Sequence, residues 1–314
     1  MGWFIKFLLL FGGIFMFWMA MIGVGLLAGF VFLESDDEVE TSETITEEEQ
    51  PDDAFTGASG DDEITGNRQD NTLLGRNGDD DLAGQRGSDR VFGDGGMDTV
   101  SGGGGDDSVF GGNGDDFVTG DRGDDMLRGG RDHDILLDNQ GSDSLHGDLG
   151  QDLIIASGQL LEGTIDNLEQ DRSLENGARD LLEQLGIDFS EDTDSRGDSV
   201  DGGEGDDTLV FGVDDTVIGG SGKDLFVTAS WLEGEPAATI TDFSRGEDQL
   251  IYGYDPLDGP APALTVDHLP NETEGSDAIV YADGVEVIRV LDQDGTFDPA
   301  QDIRVIPYGA RATT

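Results

Sequence analysis

The chain has no cysteine, three histidines in 314 residues, and 16 lysines and arginines against 70 aspartates and glutamates. Each shortage removes a class of chemistry. Without thiols there is neither a disulfide framework nor a thiolate metal site. His133, His146 and His268 are isolated and no HExxH motif occurs, so zinc has no ligand set. A net charge of −54 excludes nucleic acid as a partner, because a phosphate backbone must be met by basic groups. Nucleophile elbows and phosphate-cradling loops are also missing, so no catalytic residues and no enzyme activity are expected.

What the chain has in excess is glycine and aspartate in fixed register. From Gly57 to Ile155 a nine-residue unit repeats eleven times without a slip, from GASGDDEIT through GGGGDDSVF and GGNGDDFVT to GDLGQDLII. Position one is glycine except at Asp138, and position four is glycine except at Gln69 and Asp132. Position six is aspartate except at Asn71, and position eight is aliphatic throughout, from Ile64 to Ile154. Paired glycines make a tight turn whose backbone can approach its neighbours closely. With a side-chain period of two, the aliphatic residue of the short following strand faces inward while those on either side face out. Turn, strand, turn and strand then coil with about two units per revolution, stacking parallel strands about 4.8 Å apart into a rod on the order of 25 Å long.

Coiling in this way creates columns of like charge. Asp62, Asp80 and Asp98 fall above one another on one edge, and Asp89, Asp107 and Asp125 on the other. A hard cation between turns removes the repulsion. Ca²⁺ fits because it accepts six to eight oxygens in flexible geometry and mixes carboxylates with backbone carbonyls, whereas Mg²⁺ demands a strict octahedron.

These units resemble the RTX (repeats-in-toxin) nonapeptide GGxGxDxUx, where U is a large aliphatic residue. The resemblance covers 57–155 and resumes at GGEGDDTLV (202–210) and GGSGKDLFV (219–227), with a shortened GVDDTVI between them. It implies a parallel β-roll in which position-six aspartates and carbonyls of neighbouring turns share each Ca²⁺. Carried over residue by residue, the metal ligands would be Asp62, Asp80, Asp89, Asp98, Asp107, Asp116, Asp125, Asp134, Asp143, Asp152, Asp207 and Asp224. Ten or so Ca²⁺ ions are expected, with weaker sites near Gln69 and Asn71, near Asp132 and His133, and near Lys223.

The rest of the chain divides by composition. Residues 3–33 contain an uncharged apolar run, Phe7 to Leu33, long enough for a transmembrane helix, with a cleavable signal peptide as the alternative. Lys6 precedes this run and only acidic charges follow it closely, which favours a cytoplasmic amino terminus and exported repeats. Residues 34–56 read as an acidic tether. In 156–201, Leu174, Ala178, Leu181, Leu182 and Leu185 have helical spacing, so a helical-hairpin insert is expected there. Residues 202–227 continue the roll, and 228–314 read as a β-rich cap with a hairpin turn at Asp283–Gly284. Outward-facing Leu74, Phe92 and Phe110 recur every 18 residues, and the insert or the cap is expected to cover that ladder, with a partner-binding stripe as the alternative.

The expected fold is therefore all-β: an RTX β-roll with a helical-hairpin insert, a carboxyl-terminal cap and an amino-terminal transmembrane helix. The expected protein is an exported, membrane-anchored, calcium-folded module for structure or surface interaction, with a protein or surface polymer as partner. The alternative is a secreted RTX protein or an accessory subunit of a toxin or hydrolase system.

Overall fold

Side chains that alternate inward and outward every second residue dictate how the units close. In a computed structural model, residues 44–45, 54–138, 140–157, 159–160, 187–188, 196–229, 237–257, 259–270, 276–291 and 297–307 are described. All belong to one unit, Glu40–Thr314; a second, Met1–Val39, lies outside the described residues.

Successive nonapeptides alternate between two parallel sheets. One has 11 strands and holds Glu63–Thr65, Asp81–Ala83, Thr99–Gly104 and their successors; the other has 12 and holds Ala54–Thr56, Thr72–Asn77, Arg90–Gly95 and theirs. Register is kept residue for residue, as in Val91↔Val109 and Leu127↔Leu145. Every position-eight residue from Ile64 to Ile154 is fully buried between the sheets, and Val200, Leu209, Val217 and Phe226 extend the same core. These two facing files of aliphatics, one from each sheet, make up the apolar core of the repeats.

The roll reaches past the repeats at both ends. Ala54–Thr56 pairs with Thr72–Leu74 and buries Phe55, while Thr44–Ile45 pairs with Glu63–Ile64. At the carboxyl end, Ala238–Ile240 and Gln249–Tyr254 add parallel strands, and the antiparallel strands Leu264–Pro270, Ser276–Ala282 and Val285–Val290 complete the 12-stranded sheet. Asp283 and Gly284 both have positive φ, the conformation that a tight hairpin turn between twisted strands requires. Phe226, Phe243 and Phe297 pack ring against ring at 5.8 and 5.4 Å where the repeats pass into the cap, and the core runs on through Leu250, Tyr252 and Ile303.

The expected fold class is corrected in two respects. Among the described residues the one helix is the single turn Pro299–Asp302, and no helix is long and apolar enough to cross a membrane. Nothing among the described residues supports the expected transmembrane helix, the single-pass placement or the membrane as a partner; the stretch 3–33, on which those expectations fall, lies outside the described residues. The helical hairpin is corrected likewise. The insert is entered and left through an antiparallel pair, Gln159–Leu160 with Ile187–Asp188, and the leucines from Leu174 to Leu185 lie outside the described residues. Helical spacing of apolar residues shows only which face such a segment would bury, and at the described ends of this one the backbone is satisfied by strand pairing.

The outward apolar surface also differs from expectation. Phe92 and Phe110 stack at 4.8 Å, nearly parallel, but they and Leu74 are only half-buried. The fully covered outward patch lies on the other sheet, where Phe117, Ile135, Leu153, Ile155 and Val210 are all buried. Its strands Ile135–Leu137 and Leu153–Ile155 are apolar at every position, as expected for parallel strands covered on both faces.

Glycine is required at particular turn positions and not at others. Gly114 has φ +116°, and a Cβ there would run into the carbonyl of Gly96 one turn away; at Gly104 the nearest neighbour would be 3.9 Å off. Gly114→Ala should therefore destabilise the roll by at least about 1–2 kcal/mol in urea unfolding at saturating calcium, while Gly104→Ala should fall within about 0.5 kcal/mol of the parent.

Candidate metal centre

The position-six aspartates are brought together in two columns by the turns that precede the two sheets. Asp62, Asp80, Asp98, Asp116, Asp134, Asp152, Asp207 and Asp224 form one; Asp89, Asp107, Asp125 and Asp143 lie on the other. All twelve are buried, none more than 3 % exposed. That is a rare state for a carboxylate.

One hydrogen-bond pattern recurs at every step. The backbone N–H of each aspartate donates to Oδ1 of the aspartate one turn further on, as from Asp80 to Asp98 at 2.8 Å and from Asp107 to Asp125 at 2.7 Å. Oδ2 is left over. In Asp80, Asp89, Asp107, Asp125, Asp134, Asp152 and Asp207 it is buried without a hydrogen-bond partner. It points back into its own turn beside the first glycine: a Cβ on Gly75 would collide with Asp80 Oδ2, and one on Gly84 with Asp89 Oδ2. The same hypothetical Cβ atoms would meet the carbonyls of Gly93 and Gly102 in the next turn. Each turn thus gathers carboxylate and carbonyl oxygens around a space that only glycine leaves open. An all-oxygen set of this kind suits Ca²⁺.

Electrostatics lead to the same conclusion. Asp80 and Asp89 are pushed up to about 6, Asp107 and Asp207 to about 7 and Asp134 to about 9. Burial is the largest cause in each; the backbone N–H that each accepts pulls the other way, and neighbouring carboxylates add to the rise. The nearby arginines do not relieve this. Arg128 pairs with Asp148 and Arg196 with Asp124, both on the exposed surface.

The columns contain members that sequence reasoning missed. Asp143 N–H donates to Asp198, and Asp198 N–H to Asp215, so both continue the second edge; Asp224 N–H donates to Asp248 of the cap. The step from Asp143 to Asp198 spans 55 residues and that from Asp198 to Asp215 spans 17, where the regular step is 18. The register slips hid them, although each aspartate stands two places before an inward valine, Val200 or Val217. The irregular unit at His133 keeps its outer hydrogen bond, with Nδ1 accepting from Gln151 N–H at 2.9 Å where other turns use a position-five aspartate. Asn71 also holds its place, donating its N–H to Asp89 at 2.6 Å.

Comparison with known proteins agrees with this geometry. The model of the RTX calcium-binding nonapeptide repeat matches residues 56–91, 92–127, 119–154, 193–213 and 214–229. No curated protein matches the chain. Over residues 56–154 and 193–229, where its aspartates stack in buried columns, the chain carries RTX calcium-binding nonapeptide repeats.

Proposed function

We propose that on the order of ten Ca²⁺ ions sit between successive turns on both edges of the roll, and that the chain folds only as they bind. The twelve position-six aspartates named above supply carboxylates, Asp198 and Asp215 join them, and glycine carbonyls of the neighbouring turn complete each set. The observation that carries this reading is the repeated buried Oδ2 without a hydrogen-bond partner. Folded in this way, the roll serves as a non-catalytic structural or surface-interaction module in calcium-rich surroundings outside the cytosol. A protein or a surface polymer is the partner class that a long, flat, acidic solenoid fits.

Circular dichroism of the full chain during calcium titration tests the reading, with Mg²⁺ as control. A cooperative gain of β signal is expected with Ca²⁺ alone, shifted to higher calcium in the triple variant Asp98→Ala, Asp107→Ala, Asp116→Ala. A chain already folded in chelator would sink the linkage.

The pH dependence has a definite sign. Aspartates with raised values favour the protonated folded form, so their contribution to the metal-free fold is complete below about 3.8 and is lost as pH rises through about 6 to 9. Metal-free chain should hold more β structure at pH 5 than at pH 8. Calcium competes with those protons, so its apparent affinity should rise over the same interval, read by titration in a fluorescent chelator at each pH.

A further inference from the structure

Asparagine followed by glycine is prone to deamidate, because glycine has no side chain to hinder the attack of its backbone nitrogen on the asparagine amide carbon. The described residues hold two such pairs, Asn77–Gly78 and Asn113–Gly114, at the same point of the nonapeptide on the edge that carries Asp80 and Asp116. The register Asn77↔Gly95 and Gly95↔Asn113 sets them two turns apart. Both asparagines are exposed to water. The glycines cannot be exchanged: Gly78 has φ +121° and Gly114 φ +116°, and a Cβ on either would run into the backbone of Gly60 or Gly96. The asparagines can, since Arg131, Leu149, Glu204 and Ser221 occupy the same place on later turns.

Folding blocks the reaction. The nitrogen that must lose its proton and turn onto the side chain is committed to the ladder, with Gly78 N–H donating to Gly95 O at 3.0 Å and Gly114 N–H to Arg131 O at 3.2 Å. Asn113 is held a second time, its Nδ2 donating to the Asp94 carbonyl at 3.1 Å. Both asparagines end strands, Thr72–Asn77 and Ser108–Asn113, so neither peptide can rotate without breaking strand pairing.

We propose that Asn77 and Asn113 are deamidation sites that react in the metal-free chain and are shielded once calcium folds the roll. The glycine nitrogen bonds to Cγ, the Cγ–Nδ2 bond breaks and ammonia leaves; water then opens the cyclic imide at either carbonyl, giving aspartate or isoaspartate. No co-reactant besides water is needed. Isoaspartate runs the chain through its side-chain carbon, and at 77 it adds one backbone atom between the inward Leu73 and the column aspartate Asp80, whose spacing the turn must keep. A turn altered in this way cannot rejoin the ladder in register. The two pairs therefore limit how long the chain can wait without calcium and still fold. The shielding rests on the calcium-linked folding proposed for the roll.

In the test the full chain, freed of metal, is incubated in mildly alkaline buffer with Ca²⁺, with chelator, or with chelator and urea, and peptide mapping by mass spectrometry follows each asparagine. Asn77 and Asn113 should convert at least about tenfold faster in chelator than in Ca²⁺, as a reaction through local opening requires. Calcium added back should restore less β signal to the aged chain than to fresh chain. The double variant Asn77→Ser, Asn113→Ser, which keeps the third pair Asn176–Gly177 outside the described residues, should lose none of its signal on ageing. Conversion in Ca²⁺ as fast as in urea would overturn the shielding. Full recovery of the aged parent, or equal loss in the variant, would overturn the effect on folding. Slow conversion in both Ca²⁺ and chelator but fast conversion in urea would uphold shielding by the fold and overturn its dependence on calcium.

Discussion

Repulsion between stacked carboxylates is the constraint that the rest of this fold answers. Two unit charges about 4.8 Å apart repel by roughly 3 kcal/mol at an effective dielectric of about 20, and each column meets that cost at every step. The ladder of N–H groups donating to Oδ1 offsets part of it, at about 1.5–3 kcal/mol for a hydrogen bond to a charged group. Each step carries one such repulsion and one such bond, so hydrogen bonding at best balances the repulsion and leaves the cost of burying the charges unmet. Protonation and cation binding are the two remedies open to the interior. The raised values at Asp107 and Asp134 express the first, and the glycine-lined oxygen cradles permit the second. At the carboxyl end the chain supplies its own cation, where Arg245 pairs with the nearly buried Asp302 at 3.2 Å.

Glycine and aspartate are therefore one device. A carboxylate can turn back into its own turn only if the first residue of that turn has no Cβ, as the Gly75 and Asp80 pair shows. The inward aliphatic residue two places on fixes the strand that holds the aspartate, so a core residue such as Leu82 and the carboxylate of Asp80 cannot shift independently. Stability then accumulates step by step along one dimension. A long excursion between two steps is tolerated as long as the column is rejoined in register, which Asp198 does against Asp143.

Much of this was legible because the repeat carries its own ruler. A nine-residue period with an invariant aliphatic position predicts which residue faces inward, and all of them from Ile64 to Ile154 are buried as expected. Legibility ended where the ruler broke. Asp198 and Asp215 stand beside an insertion and a one-residue deletion, so a fixed frame passes over them, although the local pair of aspartate and inward valine survives. The covered face was missed for a different reason. A half-exposed aromatic ladder, Phe92 and Phe110, drew attention, while the all-apolar triplets Ile135–Leu137 and Leu153–Ile155 carried the stronger signal of strands buried on both faces. The expected helices came from local apolar spacing alone, which says nothing about the strand pairing found at Leu160 and Ile187.

The ends of the roll show why the cap is built of aromatics. An inner turn is held by neighbours on both sides, whereas a terminal turn has one neighbour and half as many cradle oxygens. Leaving the columns there would expose both strand edges and an incomplete cation site. In the cap the turn beginning at Phe243 keeps a glycine, Gly246, and an aspartate, Asp248, in the spacing of the repeat, but a phenylalanine replaces its first glycine. That ring packs on Phe226 and Phe297 and fills with carbon the space that a repeat turn lines with oxygen. Asp242 accepts the N–H groups of Gly219 and Gly220 at 2.9 and 2.8 Å, satisfying the last repeat turn with a side chain of the cap. The transition from oxygen cradle to aromatic packing thus takes place within a single turn, and it is made by changing the residue that the repeat otherwise keeps as glycine.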